Sequence, residues 1–377
     1  MKCCDTVFSE GDKCFLFSKF KVDPDLFQKF PLKLYPGIFL ALTPQHVLVQ
    51  GAGKDSSEKE RIALAGWVLP GFGLGLGACN VCIQIDKTVQ SELRDEYFWF
   101  MMGALLLTKP LDINISGSFS YGTEEIGFLQ NPHRICYRSN ISIDAFLSSW
   151  RGDNLFQYNE GDFQRAGAFF IRIIEIFRNK QIAPRPYFVL NAFFEAVMWE
   201  QLHRASTMFS KLFPLVDAFS GNTLHGHAEK VSKRLSLFLS GISSILLSKP
   251  LSTEEVQHRL KSIWKEHRAP HLHGFPKEPD TPPINGVTQN PVERPEVRDL
   301  FDLMEIARGA VIKMLLLEKD SYQEFCLIPI SKQYYSSKKD MERAGESRDL
   351  VAEKFFVKKT HLTPCSWSVY TDFSIER

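Results

Sequence analysis

Residues 254–268 read EEVQHRLKSIWKEHR and run directly into HRAPHLHG at 267–274, three histidines and an arginine grouped around a proline. Apolar residues stand three and four apart as far as Trp264, the spacing of a helix with one buried face. Ser252 precedes Glu255 by three residues, a capping-box spacing that predicts where this helix begins. Pro270 lacks a backbone donor and crowds the preceding turn, so the sequence predicts that the helix breaks or kinks there. The octet then has three readings: a metal site, a catalytic site, or a polar helix end.

The same helical spacing recurs on both sides. It is found in FQRAGAFFIRIIEIF (163–177), YFVLNAFFEAVMWEQLHRAS (187–206), SKLFPLVDAF (210–219), HAEKVSKRLSLFLSGISSILL (227–247) and EVRDLFDLMEIARGAVIKMLLLE (296–318). Ser248-Lys-Pro closes the helix before the octet's own. GFPKEPDTPPINGVTQNPVERP (274–295) is too rich in proline for helix or central strand and is expected to be a long loop between the last two helices.

Upstream of about residue 150 the pattern differs. DKCFLFSKF (12–20), KLYPGIFLAL (33–42), HVLVQ (46–50), NVCIQI (80–85) and INISGSF (113–119) are β-branched or aromatic runs bounded by Gly, Pro, Asn or Asp, and each is expected to be a strand. SELRDEYFWFMMGALLL (91–107) is expected to be one helix. The expected class is α+β: a mixed α+β domain over 1–155, an all-helical bundle over 160–332, and a charged tail over 333–377 with a short helix and an extended end. No internal repeat is visible.

Bulk properties set limits on function. The 377 residues are 44% apolar and 24% charged, with net charge +1, which excludes a disordered chain and a global basic field. Any nucleic-acid contact must then come from a local patch. Eight cysteines are scattered without the regularity of a disulfide framework and are expected to be reduced. The first residues lack the apolar core of a signal peptide, and the longest apolar run, FWFMMGALLL (98–107), is too short to span a bilayer. A cytoplasmic protein without membrane contact is expected.

Several motifs compete for a chemical role. His271-x-His273 has a spacing that suits a metal, but no carboxylate or cysteine follows closely enough to complete a tetrahedral set, so no metal is expected. CNVC (79–82) is a lone C-x-x-C, read as buried thiols. GFGLGLGAC (71–79) lacks the Gly-Lys-Ser/Thr ending of a phosphate loop and is read as a hairpin or turn. NPHRICYR (131–138) fits either a nucleic-acid backbone contact or an edge strand with a solvated face.

Together, Trp264, Arg268, His273 and Gly274 form a segment in which an aromatic residue leads to an arginine, four residues intervene, and a histidine is followed by glycine. LVDAFSG (215–221), HAEKVSKRLSLFLSG (227–241) and LMEIARGAVIKMLL (303–316) stand around it in a fixed order. Over roughly residues 165–320 this resembles the Apea-like branch of the HEPN (higher eukaryotes and prokaryotes nucleotide-binding) superfamily, found in bacterial defence proteins. Asp217 stands where members more usually carry Glu, and Ala269 where many carry a polar residue.

The resemblance implies a metal-independent endoribonuclease without a cofactor, acting on tRNA or mRNA. It implies a homodimer in which two Arg-x4-His pairs face one cleft, and residues 1–155 would sense an unknown trigger. RNA carries its own nucleophile, the 2'-OH, so the protein need only move protons and stabilise charge. His273 would carry the proton. Arg268 would present its planar fork to the scissile phosphate. His271, His267 and Asp217 are auxiliary candidates; the alternative for the two histidines is an exposed polar helix end, where a cation complements the helix dipole. The competing function is a catalytically silent HEPN module that binds a nucleotide, RNA or a protein partner.

Overall fold

The computed structural model describes residues 8–18, 20, 22–43, 81–108, 112–121, 126–136, 158–196, 205–220, 227–239, 252–273, 295–328 and 350–358. The chain divides into two compact units, residues 1–137 with 143–171 and residues 138–142 with 172–377. Its class is α+β.

In the first unit β1 (Lys13–Ser18), β2 (Leu32–Tyr35), β3 (Ile38–Leu42), β4 (Val81–Ile85), β5 (Asp112–Ser120) and β6 (Ile126–Cys136) form one antiparallel sheet in the order β2-β3-β4-β1-β5-β6. KLYPGIFLAL is not the single strand its composition suggests but a hairpin, β2 and β3. Its Pro36-Gly37 pair makes the turn, and Gly37 takes φ +78°, which a side chain would resist. Residues 131–136 of NPHRICYR lie in β6, which pairs with β5 alone among the described strands and so forms an edge. HVLVQ, GFGLGLGAC and Cys79 lie outside the described residues.

Every residue of β4 is buried, including Gln84, whose amide donates to the buried carboxylate of Asp12 at 2.7 Å. Cys82 of β4 and Cys14 of β1 are buried free thiols that share a hydrogen bond; that bond, then burial, pushes the Cys14 thiol well above its ordinary range. α1 (Ser91–Thr108) is buried on nearly all sides from Tyr97 onward, as an all-round apolar helix must be. Phe98 of α1 stacks on Phe15 of β1 at 3.8 Å. α2 (Glu160–Arg178) approaches β2 so closely that a Cβ on Gly167 would stand 2.6 Å from the Leu34 carbonyl oxygen.

The described residues of the second unit are helical. α3 (Pro184–Phe194), α4 (Ala205–Ser220), α5 (His227–Leu239), α6 (Thr253–His273), α7 (Pro295–Leu315) and α8 (Lys319–Leu327) are followed by helical turns ending in Lys354–Lys358. α4 and α7 are the centre: each packs on α3, α5 and α6, and on the other. Among the described residues no helix is long and apolar enough to cross a membrane.

Candidate functional site

The site is the C-terminal half of α6 with the faces of α4 and α7 that it meets. α6 starts where the capping box places it: the Ser252 N–H donates to Glu255 Oε2 at 2.8 Å, and the Glu255 N–H to Ser252 Oγ at 3.2 Å. Val256, Leu260, Ile263 and Trp264 are its buried stripe. The Trp264 ring meets Phe213 of α4 edge to face at 5.2 Å, fixing the face that α6 turns to α4.

Arg268 lies one turn beyond Trp264. Its guanidinium sits 5.1 Å from the Trp264 ring centroid and donates to Asp217 Oδ2 of α4 at 3.4 Å. Its side chain is 29% exposed, while its Nε is buried and without a hydrogen-bond partner. The cation is therefore oriented by an aromatic face and a distant carboxylate but not saturated by them. A single contact this long contributes about 1 kcal/mol.

His267 points elsewhere. It is not the exposed helix-end side chain that its neighbourhood suggests: it is 7% exposed, lies flat on Phe209 at 4.7 Å, and its Nε2 donates to Asp299 Oδ2 of α7 at 2.6 Å. The sequence hides this because Asp299 lies beyond the proline-rich segment. Arg259 completes the group, donating to Asp299 Oδ1 at 2.5 Å and to Asp302. Burial raises the Asp299 carboxyl, but the His267 bond and the Arg259 charge outweigh it and hold the group below its ordinary value.

Ligand atoms of Glu266, His267 and Asp299 lie within 4.8 Å of one another, a spacing that a metal could bridge. Both Asp299 oxygens already accept hydrogen bonds, and the Arg259 charge beside them opposes a second cation. The arrangement is that of a charge network locking α6 to α7.

α7 extends that network inward. Asp299, Asp302, Glu305 and Arg308 recur every third residue and are all buried, with Arg308 donating to Glu305 at 3.1 Å. Lys313, also buried, donates to the Phe238 carbonyl of α5. Amphipathic spacing assigns charges to the solvent face, so these residues were missed; their three-residue recurrence within an apolar helix was the available signal. Elsewhere in this unit Glu229, Lys230, Lys233, Arg234, Leu350 and Glu353 line a cavity of about 370 Å3, where Arg234 is paired with Glu353 at 3.0 Å.

Of the expected site residues, then, the structure brings Arg268 and Asp217 together and turns His267 away to α7. Positions 269–273 are described by their backbone, and His271 and His273 stand in the last turn of α6. Of the break or kink expected at Pro270, the break does not occur: the chain stays helical to His273. Pro270 forfeits one bond, to the carbonyl four residues back, and only three helical residues follow it, so the loss is confined to the frayed end. In a regular helix positions 268 and 273 lie about 140° apart around the axis and about 7.5 Å apart along it. No family model, no curated protein and no solved structure matches this chain.

Proposed function

We propose that the helical unit is a HEPN-like bundle that binds RNA at the C-terminal end of α6 and cleaves it without metal. Arg268 carries the proposal: it is partly exposed, held in place by Trp264 and a long contact to Asp217, and is followed by two histidines within five residues. A weak partner such as Asp217 can be exchanged for a phosphate oxygen, to which Arg offers a matched fork. A histidine of the last turn, His273 by the motif's spacing, takes the proton of the 2'-OH. The 2'-oxygen attacks phosphorus, the 5'-oxygen leaves with a proton, and the products end in 2',3'-cyclic phosphate and 5'-OH. Two copies of the bundle would supply both proton carriers to one cleft. The first unit would then act as a sensor in a cytoplasmic defence protein.

Asp217 also favours a second function, a catalytically silent module. There the Arg268–Asp217 pair is structural and the same surface binds a nucleotide, RNA or a protein partner.

Cleavage of mixed cellular RNA, tRNA included, in EDTA separates the two. Wild type should cut and leave 2',3'-cyclic phosphate. Arg268→Ala and the double variant His271→Ala/His273→Ala should not. Folded wild type that binds RNA and cuts none supports the silent module.

A further inference from the structure

We propose that the cavity between α5 and the helical turns ending at Lys358 binds a diphosphate group, carried by a nucleotide or present as the free anion. The proposal is independent of the RNA-cleaving function and of the end of α6. The cavity's volume, about 370 Å3, falls in the range of small-molecule sites. Among the described residues that line it Leu350 alone is apolar, so an apolar ligand does not suit it. The balance of charge selects an anion. Lys230, Lys233 and Arg234 line the cavity with Glu229 and Glu353, but Glu229 is engaged outside it: Lys261 of α6 pairs with it and Gln257 donates to it at 3.2 Å. The Lys261 bond holds the Glu229 carboxyl below its ordinary value. Three cations therefore stand against one carboxylate, Glu353, and the excess of two positive charges complements a ligand with two or more negative ones.

The cations are arranged for two joined phosphates. Positions 230, 233 and 234 share one face of the first two turns of α5 and span ~6 Å along its axis. The N-terminal end of the helix dipole adds to their field. Arg234 is the fixed element: its side chain is 1% exposed, and its Nε and Nη2 both donate to Glu353 Oε2, at 3.2 and 3.0 Å. Glu353, 38% exposed, thus presents to the guanidinium fork the kind of acceptor that a phosphate oxygen also offers, and ligand and carboxylate compete for it. Lys233, exposed, and Lys230, half-buried, hold the second phosphate.

The test is equilibrium dialysis of the full chain against radiolabelled inorganic pyrophosphate and ADP, with circular dichroism to verify that each variant folds. Both probes should bind saturably at one site. Lys230→Ala/Lys233→Ala, which removes two side chains that reach solvent, should weaken binding by about 10-fold or more, the loss of charge-assisted contacts. Glu353→Gln keeps the shape but removes the competing charge, and should tighten it. Tighter binding of ADP than of pyrophosphate assigns a nucleotide, and equal binding assigns the free diphosphate; both support the site. Absence of saturable binding, binding that the lysine variant retains, or binding lost in Arg268→Ala overturns the cavity as the site. Unchanged or weaker binding by folded Glu353→Gln overturns the competition at Arg234; should that variant not fold, the lysine variant decides. Neither probe contains an internucleotide phosphodiester, so failure here leaves the RNA-cleaving function standing.

Discussion

His267 and Asp299 meet at 2.6 Å across the junction of α6 and α7, with 7% and 4% of their surfaces exposed. The imidazole also covers Phe209, so one side chain ties α6 to both central helices of its unit. Replacing it by alanine removes the ring packing and leaves Asp299 with Arg259 alone. His267→Ala should cost about 2–3 kcal/mol, the loss of a buried hydrogen bond to a carboxylate together with the ring's packing on Phe209. Urea unfolding followed by circular dichroism measures it; a loss too small to resolve would mean that the pair is not part of the folded core in solution.

The same contact sets an acid limit. The Asp299 carboxyl is held below its ordinary value in the fold. Its contribution to stability is therefore complete above that ordinary value and is lost as the pH falls through the lowered one. In an acid titration of unfolding free energy, wild type should lose stability through this range more steeply than Asp299→Asn. Parallel curves would assign the acid limit to other carboxylates.

Glu305 and Arg308 form an ion pair inside the bundle, both fully buried. Breaking a buried ion pair from one side is costly, and Glu305→Ala should destabilise by about 3–5 kcal/mol. Replacing both by methionine removes both desolvation penalties and keeps most of the volume. The double variant should be closer to wild type than either single variant, a non-additivity that a double-mutant cycle in denaturant reads directly.

Gly167 tests the first unit. A methyl group there would press on the Leu34 carbonyl at 2.6 Å, and backbone cannot swing aside as a side chain can. Gly167→Ala should destabilise by about 1–3 kcal/mol, the usual cost of overpacking. Thermal unfolding checks it, and an unchanged midpoint would show that α2 stands farther from β2.

Sequence spacing revealed most of the helices because their stability comes from one apolar face, and that face has a period. The capping box at Ser252 was readable for a similar reason: both of its bonds join residues three apart. Two local signals mislead. The Pro-Gly pair at 36–37 sits inside an apolar run, which masks the hairpin that it turns. Pro270 does not end the helix because it stands in the last turn, where few bonds remain to lose. Within the candidate site Arg268 and Asp217 were both named from sequence, and their contact across 51 residues emerged only in the fold. His267 and the charges of α7 are buried by pairing with residues far along the chain, and no local pattern encodes such a partner.

The central claim is that Arg268 serves RNA rather than the fold. Activity and stability should be measured on one preparation of Arg268→Ala beside wild type: cleavage of mixed RNA in EDTA, and the unfolding free energy. Because its one ion-pair contact, to Asp217, is long at 3.4 Å, the variant should stay within about 1–2 kcal/mol of wild-type stability while losing the formation of 2',3'-cyclic phosphate ends. Cleavage at the wild-type rate by the variant, or lost cleavage that tracks a large loss of stability, would contradict the account.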